Sequence, residues 1–133
     1  MSRALMGTSE VAEPFWKATE NKVLKIQFCK DCGQAHHYPR NFCPHCHGDS
    51  LEWRNASGEG TIYAVTVCHQ AGSPFMSARV PYAVALVELA EGPRMMTNIV
   101  GLEDPHVAQI GDKVKVAWES AGGNRHLPVF ELA

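Results

Sequence analysis

The chemistry open to this chain is concentrated in four thiols. Cys29, Cys32, Cys43 and Cys46 form the pattern Cys-x2-Cys-x10-Cys-x2-Cys within FCKDCGQAHHYPRNFCPHC. A Cys-x-x-Cys turn places two sulfurs on one side of a tight loop, and two such turns facing each other complete a tetrahedral sulfur shell. Gly33 after the first turn and Pro44 inside the second favour that tight backbone. Thiolates select zinc or iron, and zinc is the expected ion for a chain in a reducing compartment. The doubled motif predicts metal ligands rather than a redox dithiol, which needs only one copy. Four thiolates leave no position for an activated water, so the ion is expected to brace the chain, and no catalytic residue is assigned.

His36, His37, His45 and His47 surround these thiols. Any of them could stand in for a cysteine, but a saturated ion leaves them as surface groups or as neighbours of the ligands. Cys68 lies in an apolar, strand-like run and reads as a buried, inert thiol. The sequence carries no paired-carboxylate logic, no Gly-x-Ser-x-Gly elbow and no phosphate loop.

Positioning those thiols requires elements, and 133 residues allow one domain or two small modules. With 45% apolar and 20% charged residues the composition is globular. No run approaches the roughly 18 apolar residues that span a bilayer, and MSRALMGTSEVAEPFW lacks the apolar core of a secretory signal. A cytoplasmic location with no membrane partner is expected. The first ten residues read as a mobile tail. SEVAEPFWKATENKVLKIQF then reads as a short helix running into a strand, with Ser9 as cap and Glu10, Glu13 and Pro14 near the first turn. Phe15 and Trp16 either pack on their own domain or dock into a partner.

After the turn NASGEG, five strand-like runs follow. In TIYAVTVCH, Tyr63, Val65 and Val67 share one face, and Ile62, Ala64 and Cys68 the other. YAVALVELAEG is apolar enough for a strand buried on both faces. PRMMTNIVG completes a hairpin, and IGDKVKVAWE alternates with Val114, Val116 and Trp118 inward. HLPVFEL closes the sheet, with Pro128 confining it to an edge or a bulge. LEDPHVAQI makes at most one turn. The fold class expected is mainly β: an N-terminal helix, a rubredoxin-like four-cysteine ribbon, then a small OB-type five-stranded Greek-key barrel, with an SH3-like barrel as alternative. The corresponding segments are 1–23, a tail and docking helix; 24–54, the zinc ribbon; and 55–133, the barrel. The loop from His69 to Pro81 is the longest break between strands and carries Phe75, Met76 and Arg79.

Net charge is −2, unevenly spread. Residues 22–54 hold five basic and three acidic groups, whereas 55–133 hold five basic and eight acidic. The acidic barrel argues against a broad phosphate-binding face and leaves room only for a small local patch.

The stretches CKDCG, YPRNFCPHC, LEWRNASGEGTIYAVT, PYAVALVELAEGPRMMTNIVG and IGDKVKV together resemble the small zinc-ribbon/OB-fold accessory proteins, a former domain of unknown function. These accompany thiolase-superfamily and other acyl-CoA-processing enzymes. The resemblance covers most of the chain from Phe15 onward. It implies a non-catalytic subunit in a hetero-oligomer with a thiolase-like enzyme, hydratase or aldolase, and in some cases a CoA thioester held at the partner interface. It further implies zinc on Cys29, Cys32, Cys43 and Cys46, and docking through the ribbon and the helix near Phe15 and Trp16. Arg79 could then meet a CoA phosphate or a partner carboxylate, and Arg125 with His126 forms another candidate contact.

Two other readings stay open. A single-stranded nucleic-acid-binding ribbon/OB protein would need basic grooves and stacking aromatics, but on the central strands YAVALVELA and RMMTNIV only Tyr82 can stack. A free-standing enzyme would have to use Cys68 or a histidine.

Overall fold

The computed structural model describes residues 9–133. Most of the expected mobile tail therefore lies outside the described residues. Helix α1 spans Glu13–Thr19, with Pro14 in its first turn, Glu13 at its positive end and Lys17 at its negative end. Ser9 is not its cap. The Ser9 carbonyl accepts the Ala12 N–H at 3.1 Å, and the helix begins after that turn with Ala12 at the N-cap. So short a helix is held by what it buries, here Phe15 and Thr19.

Strand β1 (Lys25–Cys29) lies between β2 (Ala35–His36) and β3 (Leu51–Asn55) in a three-stranded sheet. This sheet carries the two cysteine turns. The chain then enters a closed barrel of β4 (Glu59–Cys68), β5 (Tyr82–Leu89), β6 (Arg94–Ile99), β7 (Lys113–Gly122) and β8 (Arg125–Leu132), in the order β4-β5-β6-β8-β7. This is the five-stranded OB-type barrel that the strand spacing predicts. A single helical turn, α2 (Pro74–Ser77), interrupts the long loop, and a 3-10 turn spans Pro105–Val107.

Three strand-level expectations change in the barrel. The β4–β5 register shifts between Ile62 and Ala64, so a bulge falls at Tyr63. Val65 and Val67 then oppose Ala85 and Ala83 on the inner face with Ile62, while Tyr63 turns outward. In β5, Ala83, Ala85, Val87 and Leu89 are buried but Tyr82, Val84 and Leu86 are only half covered, because a closed barrel has one interior. Strand β8 is not an edge: it pairs with β7 along its length and closes against β6 through a parallel seam with one pair, Ile99 and Phe130. Near that seam the Thr97 hydroxyl donates to the Pro128 carbonyl at 3.1 Å.

Ribbon, helix and barrel share one core. Phe15, Leu24 and Ile26 belong to the same buried cluster as Ile62, Val87, Leu89, Met95 and Phe130. Removing such side chains from water contributes about 1.5–3 kcal/mol each, which locks the ribbon's first strand to the barrel.

Candidate metal centre

The two cysteine turns are built alike. In the first, the Gly33 N–H donates to the Cys29 carbonyl and the Cys29 N–H to the Gln34 carbonyl, both at 2.9 Å. In the second, the His47 N–H donates to the Cys43 carbonyl and the Cys43 N–H to the Gly48 carbonyl, both at 2.8 Å. Each turn ends in the left-handed region, at Gly33 (φ 76°) and at His47 (φ 65°). The N–H groups of His45 and Gly48 point at the Cys43 and Cys46 sulfurs, each at 3.4 Å.

Facing each other, the turns gather all four sulfurs within 4.8 Å of one another. The Cys29–Cys46 and Cys32–Cys43 sulfur pairs, each joining one turn to the other, stand 3.6 Å apart. A tetrahedral ion with metal–sulfur bonds of about 2.3 Å sets its sulfurs about 3.8 Å apart, so the donor set fits zinc. Proton affinities within the set diverge. Cys43 is lowered to about 6: burial opposes its charge, but the N–H groups of Cys46 and His45 and the neighbouring Cys32 and Cys46 sulfurs outweigh it. Cys32 is pushed up to about 12, where the Gln34 N–H pulls down against burial and the other three sulfurs. A cation joining all four therefore releases protons as it binds.

The histidines divide. His45 and His47 are exposed, as expected. His36 is buried and His37 half-buried, and neither belongs to the cluster of four thiols. His36 is 5% exposed and donates from Nε2 to the Gln27 side-chain oxygen at 2.6 Å. That oxygen also accepts the Arg40 N–H at 2.7 Å, while the Gln27 amide donates to the Arg40 carbonyl at 3.0 Å. Gln27 thus staples the excursion between the turns to β1. Its only sequence signal is a polar residue between apolar positions of a strand. Burial first, then the charges of His45 and Arg40, hold His36 below its ordinary value. His37 packs on Phe15, with ring centres 5.4 Å apart.

Several other candidates serve the fold. Phe15 is 5% exposed and meets Trp16 edge-on, so it is a core residue and not available to a partner. Arg79 grips Glu119 with both terminal nitrogens, at 3.0 and 2.6 Å, and stands over Phe75. Arg125 pairs with Glu13 of α1. His126 donates from its backbone N–H to the Thr19 hydroxyl at 3.2 Å and from Nδ1 to the Thr19 carbonyl at 2.8 Å. These groups hold β8 to α1 rather than offering a contact outward. Cys68 sits at the end of β4, half-buried rather than buried, with no hydrogen bond to its sulfur among the described residues. The exposed large apolar side chains include Tyr38, Phe42, Tyr63 and Met96.

A four-cysteine ribbon sharing a core with a closed five-stranded barrel defines a zinc-ribbon/OB-fold protein. Residues 16–52 match the family described as ChsH2, rubredoxin-like zinc ribbon domain, and residues 53–119 match ChsH2, C-terminal OB-fold domain. The chain belongs to this ChsH2 (DUF35) family. It is 39% identical over 120 residues to a probable enoyl-CoA hydratase alpha subunit of Thermomonospora curvata, a match covering 90% of this chain but 37% of that relative. It is 34% identical to a DUF35 domain-containing scaffold protein of Methanocaldococcus jannaschii, over 77% of this chain and 73% of the relative. Among solved structures it superposes on a chain of an Ltp2-ChsH2(DUF35) aldolase with TM-score 0.83 and 35% identity, covering 96% of this chain and 98% of that one. No helix among the described residues is long and apolar enough to cross a membrane.

Proposed function

We propose that this chain is a non-catalytic, zinc-binding accessory subunit of a cytoplasmic acyl-CoA-processing complex. Zinc sits on Cys29, Cys32, Cys43 and Cys46 and braces the ribbon. A hydratase, aldolase or thiolase-like partner supplies the reacting groups, and the two chains together hold a CoA thioester. In this division of labour, residues up to 23 carry the helix, 24–54 the metal ribbon and 55–133 the barrel. The observation that carries the reading is the superposition on one chain of the aldolase, which spans nearly the whole of both chains. The pairing of Arg79, Arg125 and His126 within the chain and the burial of Phe15 agree with a scaffold whose partner contacts lie elsewhere. Tyr38, Phe42 and Met96 offer exposed apolar area for such contacts.

Co-expression with a hydratase, aldolase or thiolase-like subunit from the same host tests this. The two chains are expected to co-elute in size-exclusion chromatography, and acyl-CoA turnover is expected only from the pair. Separate elution, or full turnover by the partner alone, contradicts the reading.

A further inference from the structure

Two histidines far apart in the chain come together at one end of the barrel. His69 follows the last residue of β4 and opens the long connection to β5, while His106 sits in the 3-10 turn Pro105–Val107 between β6 and β7. Their ring centres stand 5.5 Å apart with planes tilted by 32°, and both residues are exposed. We propose that His69 and His106 form a second metal site, for a divalent transition-metal ion bound through imidazole nitrogen.

The separation suits shared ligation. With metal–nitrogen bonds of about 2.1 Å and near-tetrahedral angles, two ligating rings stand with their centres about 5 Å apart. His106 is also oriented before an ion arrives. Asp104 accepts the His106 backbone N–H and the ring Nδ1–H, each at 2.9 Å, from its place as cap of the 3-10 turn. These two contacts hold the Asp104 carboxyl below its ordinary value, so it stays ionised and can only accept. The Nδ1 proton of His106 is thereby fixed, and the lone pair is left on Nε2. A carboxylate behind one ring nitrogen orients a ligating histidine and raises the basicity of the other. His69 has no hydrogen bond to either ring nitrogen among the described residues, so it too keeps a lone pair to give.

The donor type narrows the ion. Neutral imidazole suits zinc, nickel and copper, whereas magnesium and calcium ask for oxygen. Among the described residues only the four thiols form a set of three or more close ligands, so water completes the shell on the histidine pair. This site differs from the sulfur cage in being exposed and open to exchange. It also acts elsewhere in the fold. An ion there ties the root of the connection 69–81 to the β6–β7 connection, and Arg79 with Glu119 of β7 already holds the far end.

The test titrates Ni2+ into the full zinc-loaded chain and follows the imidazole resonances by NMR, because paramagnetic Ni2+ broadens the rings that ligate it. Saturable binding is expected, with His69 and His106 broadened before His36, His37, His45, His47 and His126. His69→Gln and His106→Gln should each weaken binding by about tenfold or more. Asp104→Asn, which keeps the cap but removes the charge behind the ring, should weaken it by about tenfold. His45→Gln removes an exposed imidazole beside the thiols and should change it by less than about twofold. Zinc content and thermal midpoint establish that each variant is folded with its thiols loaded. Absence of Ni2+ binding would overturn the site, as would broadening centred on His45 and His47, equal loss in the His45 variant, or displacement of zinc by nickel. The chain is tested alone, so the result is separable from whether it assembles with a partner.

Discussion

His47 and Gly33 occupy equivalent ends of the two cysteine turns, but only glycine adopts that backbone without cost. A side chain in the left-handed region costs about 1–2 kcal/mol, partly offset by the greater freedom of glycine in the unfolded chain. His47→Gly is therefore expected to stabilise the zinc-loaded protein by about 0.5–1 kcal/mol, read as a higher denaturant midpoint. A lower midpoint would show that the imidazole makes a contact worth more than the strain. His37 makes a prediction about acid. Burial, then neighbouring His36, lowers it from 6.5 to about 4. Between those values the unfolded chain binds the proton and the folded chain does not, so stability falls as pH drops from 6.5 towards 4 and is unaffected by His37 above 6.5. The loss across the window is about 2–3 kcal/mol. Urea melts above and below it should show a smaller acid loss in His37→Gln than in the parent, since zinc release by acid is common to both and cancels in the difference. Identical losses would rule His37 out.

Helix α1 is attached to the barrel through a small set of groups. Thr19 is fully buried, donates to the Trp16 carbonyl at 2.5 Å and accepts the His126 N–H at 3.2 Å. Thr19→Val keeps the shape but strands the His126 N–H, at a cost of about 1–3 kcal/mol. Amides of α1 and the start of β8 are expected to exchange faster than those of β5 in this variant. Uniform acceleration would mean that helix and barrel open as a single unit. Glycine matters structurally at Gly60 in β4, where an added Cβ would come 2.6 Å from a Val87 methyl carbon and 2.9 Å from the Glu88 carbonyl oxygen. That close approach lets β4 cross against β5 at the start of the barrel.

Metal and core act together over the molecule as a whole. Cys29 ends β1, whose Ile26 lies in the barrel's own buried cluster. Zinc removal by a chelator, or Cys32→Ser, should therefore release the cysteine turns and β2 while the barrel keeps its strand signal in circular dichroism. Zinc content unchanged in Cys32→Ser would contradict the ligand set. Loss of all strand signal would show that the barrel cannot stand without the ribbon.

Much of this architecture could be read along the chain because the signals are local. Two Cys-x-x-Cys turns bring their own sulfurs together, and alternation of apolar residues marks strands such as β7 before any partner is known. The pairings of the other candidate contacts were hidden because their partners are distant: Arg79 meets Glu119 across 40 positions, and Arg125 meets Glu13 across 112. An arginine carries no local mark of the carboxylate it will face. The bulge at Tyr63 likewise depends on what β5 presents opposite, and burial of Phe15 depends on the barrel closing beneath it. Spacing specified a sulfur cage and a barrel, whereas closure of the chain upon itself chose which cations find a partner within it, since ion pairing and burial are settled by neighbours in space.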